Sequence, residues 1–192
     1  MYDPHVAPRS LSPQLRLQLE TDMVQIWEMA RGTAENDRTL AVVATAFLES
    51  ILTEAIAVRL PVLDDDVRTT LFDPQRNAPL SSYASKVYMA RAMFVVDGVP
   101  YEDLKIVGRI RNQFAHNVRV NTFDHHRVLP LVLKLKAPSS LDQLAGEQTL
   151  QKLASAPDGT PRGRFAHSVA NLANGLFNCS ITDTGFGAAC LR

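Results

Sequence analysis

Along most of this chain the apolar positions fall three and four residues apart, the spacing of one face of an α-helix. Ser12-Pro13 opens the first such stretch, the serine as a cap and the proline at the first helical position. Leu15, Leu19, Met23, Ile26 and Trp27 continue it as far as Gly32. Asn36 or Asp37 can cap the second stretch, TLAVVATAFLESILTEAIAVRL, residues 39–60. It is apolar around most of its circumference, which predicts a central helix, and Pro61 ends it. Residues 62–80 read as a loop with room for one short helix. Ser81 or Ser82 caps SSYASKVYMARAMFVV, Asp97-Gly98 makes a turn, and Pro100 opens a helix running to Asn117.

The later part of the chain is less uniform. VRVNTFDHHRVLPLVLKL is β-branched enough to be compatible with a short strand or β-hairpin within about 118–136. Ser140 and Gln143 have the capping-box spacing, which predicts a helix over 141–155. APDGTPRG is a loop, and RFAHSVANLANGLF places Phe165, Val169, Leu172 and Leu176 on one helical face. No alternation of strands and helices occurs. The pattern predicts an all-α fold, a single-domain helical bundle of about six helices over residues 11–180. Residues 1–10 read as a flexible arm and 181–192 as a flexible tail.

Composition narrows the function classes. A chain of 192 residues can bury a core as one domain. Its formal net charge of zero argues against a broad nucleic-acid footprint while leaving room for a local basic stripe. Cys179 and Cys190 fit neither a zinc spacing nor a disulfide framework. No apolar run reads as membrane-spanning, and MYDPHVAPRS lacks the order of a signal peptide. The expectation is a soluble cytoplasmic protein with no membrane partner.

Candidate chemistry concentrates in RIRNQFAHN, residues 109–117. At about 100° per residue, Ile106, Val107, Ile110, Phe114 and Val118 form an apolar face. Lys105, Arg109, Asn112 and His116 form a polar stripe away from it. Arg111 falls beside Leu104 at the edge of the apolar arc, with Gly108 and Ala115 next to it. A guanidinium at a core edge needs a partner, and the central helix offers Glu49 and Glu54, the latter better placed by spacing. Arg111 thus reads as an internal brace, and His116 as a helix-end residue favoured by the dipole.

The order of features resembles the bacterial mannitol operon repressor family. The segments that carry the resemblance are ENDRTLAVVATAFLESILTEAI, LFDPQRNAPLSSYASKVYMARAM, EDLKIVGRIRNQFAHN, TFDHH and RGRFAHSVANLA, spanning about residues 35–175. Lys86 stands where an arginine is expected, and Phe94-Val95 where glycine-leucine is more usual. The resemblance implies an all-helical transcription regulator. No helix-turn-helix with a basic second helix, zinc finger or basic arm is evident, so regulation would run through a protein partner that itself contacts DNA.

Arg111-Asn112-Gln113-Phe114-Ala115-His116 is also similar to the arginine–polar–histidine pattern of HEPN domains, helical bundles of which many are metal-independent ribonucleases acting as dimers. That resemblance implies His116 as general acid or base, Arg111 stabilising phosphate charge and Asn112 orienting either, with a homodimer and RNA as partners. Arg111 and His116 stand about 140° apart on an ideal helix, so one protomer alone brings them together only if the arginine reaches round or the helix end unwinds. The regulator is the first expectation and the ribonuclease its rival.

Other motifs read more plainly. The adjacent histidines of FDHHR lack a spaced carboxylate to complete a metal site. Asp64–Asp66 read as a cap and dipole partner for a short helix rather than a magnesium site. Ser81 and Ser82 cap, His167 reads as partly exposed, Cys179 has no activating neighbour, and TDTGFGAAC precedes no helix. Neither metal nor cofactor is expected.

Overall fold

The structure, a computed structural model, describes residues 13–31, 36–60, 64–136 and 160–179. Among them are seven α-helices: α1 (Pro13–Arg31), α2 (Asp37–Ala57), α3 (Asp65–Phe72), α4 (Tyr83–Ala92), α5 (Gly98–His116), α6 (Leu129–Val132) and α7 (Pro161–Cys179). A single 3-10 turn, Pro74–Arg76, joins α3 to α4. The expected arm, tail and 141–155 helix lie outside the described residues.

The helix starts follow the capping chemistry of the sequence. The Asn36 side chain accepts from the Arg38 amide, and Asp64 accepts from the Val67 amide at 2.8 Å. Ser82 and Ser85 form a reciprocal capping box at α4. Asp97 caps α5 through the Gly98 amide, so that helix begins two residues before Pro100.

α2 is the central helix. It packs on α1, α4, α5 and α7, and buries Leu40, Leu48, Ile51, Leu52 and Ile56 completely or nearly so. By length and composition α2 could cross a membrane, but 61% of its most apolar window is buried inside the bundle, as in the core helix of a soluble fold. α7 is its main partner. Phe165, Val169, Leu172 and Leu176 are fully buried, and the opposite side of α7 is enclosed as well. His167 is therefore buried, not partly exposed as its sequence context suggested.

No strand occurs in 118–136. Val120, Phe123, Val128, Val132 and Leu135 turn inward as plugs, at spacings that suit turns and the short α6 rather than a pleat. Side chains satisfy the backbone groups that a ladder would have used. Arg38 Nη2 donates to the carbonyls of Asn117, Val118 and Val120 at 3.0, 3.0 and 2.8 Å, and Asp37 accepts from the Phe123 amide at 2.8 Å. Phe123 stacks between Phe114 of α5 and Phe165 of α7, at 5.0 and 4.8 Å between ring centroids.

Candidate functional site

α5 runs antiparallel to α2. The Arg38 bonds set the register, holding the residues just past the end of α5 against the start of α2. Arg111 is thereby level with about Ala44, and Glu54 stands about ten residues, or 15 Å, further along α2. Glu54 pairs instead with Arg68 of α3, and Glu49 with Lys86 of α4 at 2.6 Å. The expected brace from Arg111 to Glu54 or Glu49 is not formed. Helical phase alone suggested it; the register along the axis forbids the first pair, and Lys86 already holds the second.

Arg111 is exposed, and its one side-chain hydrogen bond among the described residues is to Oδ1 of Asn112, at 3.1 Å. It lines a groove of about 340 Å³ between α2, α4 and α5. One wall is α5, with Lys105, Gly108, Arg109, Arg111 and Asn112. The facing wall includes Glu49 from α2 and Tyr83 and Tyr88 from α4.

Gly108 is what lets the two walls meet. A Cβ there would stand 2.9 Å from Tyr83 Cε1, so the tyrosine ring lies directly on the α5 backbone. The Tyr83 hydroxyl donates to the Leu104 carbonyl at 3.0 Å. Burial, with the Glu49 charge adding to it, pushes the Tyr83 phenol well above its ordinary range, so it serves as a fixed neutral wall.

The cations are unevenly committed. Lys105 pairs with Glu102 at 3.0 Å and lies 4.7 Å from the Tyr101 ring centroid. Arg109 makes no hydrogen bond or ion pair with any described residue, and Arg111 has no carboxylate partner among them. The accessible stripe of Lys105, Arg109 and Asn112 is as the helical phase predicted. His116, one turn beyond Asn112, is exposed and bonds to no described residue. It lies outside the groove lining, so the groove brings Arg111 and Asn112 together without His116.

A charge signal in the sequence marks this region. From Leu104 to Lys136 there are seven Lys and Arg residues against one carboxylate, Asp124. Counting charge over the whole chain averages this away. Tyr88 and Glu49 carried no such signal; they join the site only through the packing of α2 and α4 on α5.

His125 and His126 stack at 4.3 Å between centroids on the segment after α5. Lost solvation, then the charges of His126 and Arg127, hold the His125 imidazole below its ordinary value. Among the described residues no three His, Cys, Asp or Glu side chains gather at a metal-binding distance. Asp64 caps α3 and Asp65 and Asp66 occupy its first turn, the use that the sequence pattern suggested.

No family model, curated protein or solved structure matches the chain.

Proposed function

We propose that this protein binds single-stranded RNA through the polar face of α5 and is an HEPN-like, metal-independent endoribonuclease of the cytoplasm, active as a homodimer. The observation that supports this reading is Arg111. It faces solvent with no carboxylate partner among the described residues, in one groove with Arg109, Lys105 and Asn112. An unneutralised, forked donor in such a place is suited to a phosphodiester.

In the proposed reaction the ribose 2′-hydroxyl attacks the adjacent phosphorus. The P–O5′ bond breaks, leaving a 2′,3′-cyclic phosphate and a free 5′-hydroxyl. Arg111 stabilises charge on the non-bridging oxygens, and Asn112 orients the phosphate. One imidazole takes the 2′-hydroxyl proton and another gives a proton to the leaving oxygen. A single chain offers one His116, so the pair of roles calls for two copies. The test is cleavage of a mixed-sequence RNA in EDTA by wild type, His116→Ala and Arg111→Ala. Cyclic-phosphate ends from wild type alone support the reading. No binding and no cleavage by wild type overturns it.

A second reading, a transcription regulator of the mannitol operon repressor type working through a protein partner, is favoured by Val118, which is 90% exposed, with Val43 also exposed. Tight, salt-dependent binding of this chain alone to promoter DNA in a gel shift would overturn it.

A further inference from the structure

The groove lining carries two opposed chemistries, and an RNA phosphate accounts for only one of them. Arg109 and Arg111 suit an anion. Glu49 does not, yet its side chain lines the same space and is 30% exposed. Lys86, whose side chain is 7% exposed, donates to Glu49 Oε1 at 2.6 Å from beneath. That bond fixes the carboxylate and balances its charge. Oε2 takes no hydrogen bond from any described residue. A ligand filling the groove must therefore present an anion to α5 and N–H or O–H donors to Glu49.

Tyr88 adds the third element. Its side chain is 59% exposed at the groove edge and has no hydrogen-bond partner among the described residues. Tyr83, by contrast, is committed to Leu104 and to the α5 backbone. A free aromatic ring beside a line of cations is a stacking platform for a base. The volume of about 340 Å³ lies at the small end of ligand sites, enough for one base and its sugar.

The bases differ in what they show a carboxylate. Guanine alone presents two adjacent donors, N1–H and the N2 amine, on one edge. Adenine and cytosine place a ring-nitrogen acceptor beside their amine, and uracil sets its single N–H between two carbonyls. Each of those acceptors faces the carboxylate repulsively.

We infer that the α2–α4–α5 groove is a guanine-recognition subsite. Glu49 accepts from the Watson–Crick edge, Tyr88 stacks on the base, and Arg109 and Arg111 hold the adjoining phosphate. This rests on the RNA-binding reading above and adds base specificity to it. Glu49 and Tyr88 are specificity residues here; the scission chemistry stays with Arg111, Asn112 and His116.

The test is binding of the full chain to the tetranucleotides UUGU, UUAU, UUCU, UUUU and UUIU, where I is inosine, by fluorescence anisotropy. Inosine keeps N1–H and lacks the N2 amine. UUGU is expected to bind roughly tenfold or more tighter than the A, C and U oligonucleotides, with UUIU between. Glu49→Gln, which keeps an acceptor for Lys86, should collapse the advantage of UUGU to the level of the other bases. Tyr88→Ala should weaken UUGU by roughly tenfold, and Tyr88→Phe should restore it. The inosine comparison needs no variant, so a misfolded Glu49→Gln protein leaves the inference exposed to refutation. If wild type binds all five equally and Arg111→Ala weakens all five, the guanine subsite is wrong and the phosphate reading stands. If wild type binds none, both fall.

Discussion

Removing the Arg111 side chain separates an internal brace from a ligand-facing cation. A buried guanidinium paired with Glu54 or Glu49 would make Arg111→Ala cost about 3–5 kcal/mol, because a carboxylate would be left unpaired. In the structure Arg111 is exposed and bonds to its neighbour Asn112, while both glutamates have other partners. Arginine and alanine have similar helix propensities, and a cation near a helix C-terminus contributes a few tenths of a kcal/mol. The net change should stay within about 0.5 kcal/mol. For a domain of this size that is a shift in melting temperature of about 2 °C or less, against about 6–20 °C for a brace. Lys86→Ala supplies the contrast in the same scan. It strips a buried stem and frees Glu49, which is partly open to water, so a cost of about 2–3 kcal/mol is expected. Binding of a uridine oligonucleotide across a salt series gives the second readout. Losing one phosphate contact should lower the log–log slope by about 0.7. A melting loss near that of Lys86→Ala, with an unchanged salt slope, would refute the placement of Arg111 and the groove reading together.

Phe94 has φ +56°, the left-handed region, and is 74% exposed at the end of α4. Phe94→Gly should raise stability by about 1 kcal/mol in urea denaturation, since glycine takes that conformation without strain and little packing is lost. Arg38→Ala leaves three carbonyls past α5 without their donor. It should cost about 1.5–3 kcal/mol and speed amide exchange at Asn117–Val120 relative to the rest of α5. His125, whose folded value is lowered, should show an NMR titration midpoint below that of the urea-unfolded chain. The unfolded state then takes up the proton first, so this residue's contribution to stability is full above the ordinary imidazole value near pH ~6.5. It is lost as pH falls through that value toward the folded one.

What the sequence made legible was what depends on helical phase and caps. The central place of α2, the buried face of α7 and the accessible stripe of α5 all follow from residues three and four apart. The caps at Asn36, Asp64 and Ser82 follow from their side-chain acceptors. What stayed hidden depends on how helices slide past one another. Phase put Arg111 and Glu54 on facing sides, but only the Arg38 register shows them about 15 Å apart along the axis. The 118–136 segment misled for a related reason: Val120, Val128 and Val132 are buried plugs, and side chains from the helices, Arg38 and Asp37 of α2 and Arg164 of α7 among them, bond its backbone. The left-handed backbone at Phe94 stayed hidden too, because apolar spacing says nothing of the sign of φ.

Net neutrality and a cationic site coexist because the charges are segregated along α2. Asp37 is taken up by Arg162, Glu49 by Lys86 and Glu54 by Arg68. The exposed acids Asp64, Asp65 and Asp66 belong to α3, which Arg68 ties to the Glu54 end of α2. Arg111 and Arg119 lie toward the opposite, Arg38 end, where α5 finishes. Along α2 the Arg111 level, near Ala44, and the Glu54 level are separated by about 15 Å, roughly two Debye lengths at physiological salt. The acidic end is therefore largely screened from Arg111, and the carboxylate that lines the groove, Glu49, is held by Lys86. The same arithmetic bounds the footprint. With two or three uncommitted arginines the salt slope for single-stranded RNA should be about two, a short phosphate track, so selectivity must come from what lies between the cations and Glu49.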